Sequence, residues 1–135
     1  AMDARGGFAA VTGVAALDAF RPALTVWAEV LSRPEPGLAI CGMGMRDVSY
    51  DQDLPVPLAA WRDGVQTASR DTLGSVVKLN DQHAFLRLPE GSGLGVGDIV
   101  AFGISHPCTC LDRWRVILGR GADGRIAAAY PTHFS

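Results

Sequence analysis

From Leu24 to Phe134 the sequence runs in short apolar-polar alternations, each closed by proline, glycine or an Asn-Asp pair. No long amphipathic helix fits between those breaks. Alternation places successive side chains on opposite faces of an extended chain, so this pattern predicts strands. "LTVWAEVLSR" after Pro22 is the clearest run, and "RPEPG" (Arg33 to Gly37) turns the chain back. "LAICGMGMRDVSY" reads as a second extended run, in which Gly42 and Gly44 mark a bulge or a close backbone approach. "DQDLPVPL" (Asp51 to Leu58) carries Pro55 and Pro57, which remove ladder donors, so it reads as an extended surface segment. Ala59 to Leu73 is mixed and polar and reads as loop. "GSVVKLNDQHAFLRL" gives two strands about an Asn80-Asp81 turn, and "PEGSGLGVGD" a glycine-dense loop. "IVAFGIS" and "RWRVILGR" are further strands, "GADG" is a hairpin turn, and "RIAAAYPTHF" closes the chain. The expectation is a mainly β, single small barrel-like domain of six to eight short strands over residues 20–135. Residues 1–19, small and weakly patterned, read as a lead-in or a truncated element, with Ala1-Met2 as a tag remnant.

Hydrophobic residues make up 48% of the 135 and charged residues 19%, enough apolar side chains for a core. The formal net charge of -2, without a basic run, argues against a nucleic-acid surface. No apolar stretch reaches the roughly 18 residues of a membrane span, and the start lacks the pattern of a signal peptide. Three cysteines, an odd number, speak against a disulfide framework, so the expected compartment is the cytoplasm. "GLGVGD" precedes a strand rather than a helix, which discounts nucleotide binding.

Chemistry concentrates in "GISHPCTCLDRW". His106, Cys108 and Cys110 stand at every second position, so an extended chain would put them on one face. Imidazole and thiolate suit zinc, and two protein ligands are too few for a closed structural site but fit an open catalytic one. The same residues also fit a buried strand with small apolar cysteines and a satisfied histidine, and spacing leaves both readings open. Cys110 reads first as a core cysteine and second as a third ligand. His83, in "NDQHAF", is a candidate acid or base, or a turn-edge histidine. His133 reads as a surface residue. Arg46, Asp47, Asp51 and Asp53 in "RDVSYDQDLP" read as a solvated loop with a local salt bridge, although paired carboxylates could do acid-base work.

The order of segments carries a resemblance. "FRPALTVWAEVLSRPEPG", "GMGMRDVSYDQDLPVP", "NDQHAFLRL", "VGDIVAFGISHPCTCLDRWR" and a terminal "YPTHF" together resemble the carboxyl-terminal domain of the D-serine dehydratase and amino-acid deaminase family. That family is related to D-threonine aldolase among the fold-type III pyridoxal phosphate enzymes. The resemblance covers Phe20 to Phe134 and is most specific over GD-x-V, SHPCT and DRW. It implies a metal site at His106 and Cys108, and a cofactor bound by an N-terminal (β/α)8 barrel. It also implies a homodimer, and conversion of D-serine to pyruvate and ammonia with zinc assisting loss of the β-hydroxyl. Aldolase relatives tend to carry aspartate where Cys108 stands, so the cysteine points to the dehydratase side. Cys110 departs from the family, which often has threonine there. Lys78, the one lysine among twelve basic residues, lies in the β segment and is not expected to form the Schiff base. A chain of this length cannot hold a barrel of about 250 residues, so by itself it is expected to be inactive. The alternatives are a D-threonine aldolase-type domain and a non-catalytic β interaction or dimerisation domain.

Overall fold

The computed structural model describes residues 21–134; the expected lead-in over 1–19 lies outside them. Among the described residues nine strands form in chain order: β1 (Thr25–Glu35), β2 (Leu38–Cys41), β3 (Val56–Arg62), β4 (Val65–Ser69), β5 (Ser75–Leu79), β6 (Ala84–Arg87), β7 (Ile99–Gly103), β8 (Val116–Arg120) and β9 (Ile126–Pro131). Among the same residues a 3-10 turn spans Arg70–Thr72, and one short helix, α1, spans Pro107–Leu111. The first seven strands make one antiparallel sheet in the order β4-β3-β7-β1-β2-β6-β5, curled into a half-barrel. Strands β8 and β9 form a separate two-stranded sheet. The mainly β reading therefore holds.

The alternation in β1 does what period two requires. Val26, Ala28 and Val30 are buried, whereas Trp27 and Leu31 remain exposed. Bulges near Ser32 let one long strand serve two neighbours: Thr25 to Glu29 pair with β7, and Val30 to Glu35 with β2. β7 lies between β1 and β3, and its Val100 and Phe102 are fully buried beside Met43, Leu73, Leu86 and Val48. Completely burying each such side chain contributes about 1.5–3 kcal/mol.

Two expectations need correction. Ala59 to Leu73 is not loop: it holds the rest of β3, all of β4 and the 3-10 turn. The hairpin turns at Asp63-Gly64, where both φ angles are positive, 51° and 79°. An Asp-Gly pair between strands favours that turn, because its twist matches the twist of the strands. Nor does Pro57 confine its segment to the surface. It sits in β3 opposite Phe102 of β7, with a register shift before Ala59. The β4 ladder begins only at Ala59, so at Pro57 the strand has a partner on one side alone. The missing N–H therefore costs no ladder bond on the β4 side.

Gly44 confirms the expected close approach. A Cβ there would lie 2.2 Å from the carbonyl oxygen of Asn80 and 2.5 Å from that of Asp81. The segment after β2 is thereby pressed onto the β5–β6 turn, where Met45 N–H donates to Asn80 O (2.9 Å) and Arg46 N–H to Asp81 O (3.0 Å). From this anchor the chain runs on to Asp51.

Candidate functional site

β7 delivers the histidine-cysteine stretch. After Gly103 the chain stays buried through Ile104 and Ser105, and the Ser105 hydroxyl donates to Asp53 O at 3.1 Å. His106 then caps α1 in an extended conformation (φ −133°, ψ 93°), and Pro107 occupies the start of the helix. Proline suits that place, since its fixed φ matches the helix and its absent N–H would have had no partner. The expectation of an extended run through Cys110 is therefore corrected. Only His106 is extended, and from Pro107 the chain is helical as far as Leu111.

The helical turn separates the two cysteines, because residues two apart on a helix do not share a face. Cys108 is exposed and Cys110 is buried. The Cys110 thiol donates to Asp47 O at 3.5 Å, and burial raises its pKa above the ordinary thiol value. Trp114 Nε1 donates to the same carbonyl at 2.8 Å, and Arg113 Nε to Met45 O at 3.1 Å. One side of α1 is thus bound to the segment anchored at Gly44.

The other side carries His106. Its Nδ1 lies 2.7 Å from Asp51 Oδ2, and the Thr109 hydroxyl donates to Asp51 Oδ1 at 3.1 Å. The hydrogen bond with His106 is the largest cause holding the Asp51 carboxyl below its ordinary pKa. The expected local salt bridge within "RDVSYDQDLP" is not the arrangement found. Arg46 reaches Asp81 at 3.9 Å, Asp47 Oδ2 accepts from Gly44 N–H at 2.8 Å, and Asp51 pairs with His106. No sequence signal marks the last pairing, which spans 55 positions.

With Nδ1 facing a carboxylate, Nε2 is the ring nitrogen left to act as a ligand. Cys108 follows Pro107 within α1 and is exposed. This nitrogen-sulfur donor set fits zinc in kind but supplies only two positions. Among the described residues no three His, Cys, Asp or Glu side chains are gathered for a metal ion. His83 lies exposed in the β5–β6 turn, where its carbonyl accepts from Asn80 N–H at 2.8 Å. No described residue hydrogen-bonds its side chain. His133 is exposed. Lys78 lies on β5 with its Nζ 5.2 Å from the centroid of the Phe85 ring.

A groove of about 1040 Å³ opens between the large sheet and the β8–β9 hairpin, with Leu111 and Trp114 at one side. Trp27 and Trp61 stack on its sheet wall, with ring centroids 4.5 Å apart, and Arg120 from the hairpin lies over Trp27 at 4.8 Å. Such cation-ring contacts contribute about 0.5–2 kcal/mol. Val116, Leu118, Ile126 and Tyr130 leave the hairpin largely apolar and exposed.

A family model described as "Putative serine dehydratase domain" matches residues 23–119, well over half of the chain. Among solved structures, the chain is similar to D-threonine aldolase from Filomicrobium marinum, with a TM-score of 0.68 and 25% identity over 83% of this chain and 28% of that one. It also shares the fold of D-threo-3-hydroxyaspartate dehydratase from Delftia sp. HT23, with a TM-score of 0.58 and 18% identity over 82% and 32%. The chain thus spans less than a third of either protein. No curated protein matches its sequence.

Proposed function

This chain belongs to the serine dehydratase domain family, and on that footing we propose that it is the metal-binding β domain of a pyridoxal phosphate-dependent D-amino-acid dehydratase. In this reading His106 Nε2 and the Cys108 thiolate hold one zinc ion. The observation that carries it is the 2.7 Å contact between His106 Nδ1 and Asp51, because it commits the ring to ligation through Nε2. Exposure of Cys108 adds a thiol that solvent, and hence a metal ion, can reach.

When bound, zinc at this pair supplies Lewis-acid stabilisation to a leaving hydroxyl, and pyridoxal phosphate in the barrel supplies the electron sink. The chain's own residues contribute positioning. Asp51 holds the imidazole, and the bonds from Trp114, Cys110 and Arg113 keep α1 in place. Two protein ligands would leave a zinc ion held there with open coordination positions. The substrate class is a D-3-hydroxy amino acid, with D-serine giving pyruvate and ammonia. The cofactor and the rest of the pocket belong to an N-terminal (β/α)8 barrel, and the apolar hairpin supports a covering partner of that kind. A homodimer in the cytoplasm completes the reading. His83 enters as a pocket residue that awaits the same barrel.

The test is a calorimetric zinc titration of the reduced chain. One ion is expected, lost in Cys108→Ser and retained in Cys110→Ser. No uptake by the unmodified chain refutes the reading, as does loss in Cys110→Ser alone. The likeness to D-threonine aldolase supports a second reading, in which the full enzyme cleaves a carbon-carbon bond. Given D-threonine, a dehydratase yields 2-oxobutanoate and an aldolase yields glycine. The isolated chain is expected to make no pyruvate from D-serine.

A further inference from the structure

The geometry points to Asp51 as a positioning residue that sets both the tautomer of His106 and the seating of α1, an inference that rests on the zinc reading above. Asp51 lies in a loop far from the His106 stretch in sequence, yet its two oxygens have separate tasks. Oδ2 faces His106 Nδ1 at 2.7 Å, and Oδ1 accepts the Thr109 hydroxyl at 3.1 Å. His106 precedes α1, whereas Thr109 lies within it beside Cys108. One carboxylate therefore grips both the ring and the helix that bear the two ligands.

Donors and acceptors fix the consequences. A carboxylate only accepts, so the neutral ring must carry its proton on Nδ1, which leaves the Nε2 lone pair bare. Free imidazole side chains in water favour the opposite form, with the proton on Nε2. In Asp51→Asn the amide can donate to Nδ1 as well as accept from it, and the Thr109 hydroxyl, which also reaches His106 O at 3.4 Å, fits either orientation. The requirement for a proton on Nδ1 is thereby lost, and the ring shifts toward the Nε2–H form that blocks the ligand atom. Thr109→Val removes the bond to the helix but leaves Oδ2 to accept from Nδ1.

Outer carboxylates of this kind change metal affinity by about 10–100-fold. Two measurements test the assignment on the full chain. The first is the ring tautomer of metal-free His106, from long-range proton-nitrogen spectra at a pH near 9, where an ordinary imidazole is neutral. The Nδ1–H form is expected in the unmodified chain and in Thr109→Val, and a shift toward the Nε2–H form in Asp51→Asn. The second is zinc affinity by titration, expected to fall by about 10–100-fold in Asp51→Asn. Circular dichroism checks that all three chains fold alike. A merely structural Asp51 would not move the tautomer in a variant that folds as the unmodified chain does. The inference is overturned if the unmodified ring is Nε2–H, or if Asp51→Asn binds zinc within twofold of the unmodified chain. Absence of zinc uptake by the unmodified chain sinks the zinc reading itself, whichever tautomer the ring shows.

Discussion

Gly44→Ala should damage this protein more than its one added carbon suggests. The new Cβ would stand 2.2 Å from Asn80 O and 2.5 Å from Asp81 O, and both obstacles are backbone atoms that cannot swing aside. Relief requires the segment after β2 to lift from the β5–β6 turn. Lifting stretches or breaks the bonds from Met45 N–H and Arg46 N–H, at 2.9 and 3.0 Å. Two such bonds contribute about 0.5–1.5 kcal/mol each, and forcing an extra carbon into a packed site costs about 1–3 kcal/mol. The sum is about 2–6 kcal/mol, or on the order of 10 °C in melting temperature for a domain this size. Gly93→Ala is the control, since a Cβ there meets nothing within 4 Å and its φ is not positive. It should be neutral or stabilise by up to about 1 kcal/mol. Thermal and urea unfolding of both variants, followed by circular dichroism, decide the matter. A Gly44→Ala protein within about 0.5 kcal/mol of its parent, a difference at the level of an ordinary surface change, would refute the account of this contact.

Two further outcomes are open to direct measurement. Cys108 alone should react with a thiol reagent in the folded chain, because burial pushes the Cys41 thiol to about 12 and raises that of Cys110; fast reaction of a second thiol before unfolding contradicts this. Asp98 is buried and accepts two bonds from the Arg62 guanidinium at 2.8 Å, which holds its carboxyl below the ordinary 3.8. A depressed folded-state pKa gives stability that is present above 3.8 and fades as pH falls through the folded value. Asp98→Asn should therefore be less stable at pH 7 and lose less on acidification below 3.8; equally steep acid profiles for the two chains contradict the pairing.

Much of the fold is legible in the sequence because its signals are local. Alternation in "LTVWAEVLSR", the Asn80-Asp81 turn and the "GADG" hairpin each lie within a few residues of their consequence. Asp63-Gly64 is equally local, but polar neighbours mask the alternation on either side of it, so β4 reads as loop. Pro57 misleads for another reason. Its tolerance depends on where the neighbouring ladder ends, and that is a property of the sheet rather than of the segment. The site divides in the same way. His106 and Cys108 stand out by residue type, whereas Asp51 is one of three aspartates in a loop. Only the course of the chain from Gly44 shows which of them meets the imidazole.

The helical turn that replaces the expected extended run gives the proposed ligand pair its open side. On a strand, Cys108 and Cys110 would share a face, and with His106 they would make a three-ligand set that leaves one position free of four. On α1 they diverge, and Cys110 is spent on Asp47 O with its thiol protonated by burial. A thiolate ligand must lose its proton, and burial opposes that at Cys110, so chemistry as well as direction disfavours it. Pro107 decides between these cases, because it starts the helix between the two ligand positions. Pro107→Ala relaxes that start without removing a donor atom. On the zinc reading it should weaken binding while leaving Cys110 buried and unreactive. If the variant instead binds zinc more tightly and loses that binding on Cys110→Ser, the two cysteines are held apart by the proline alone, and the open site is a property of one residue rather than of the fold.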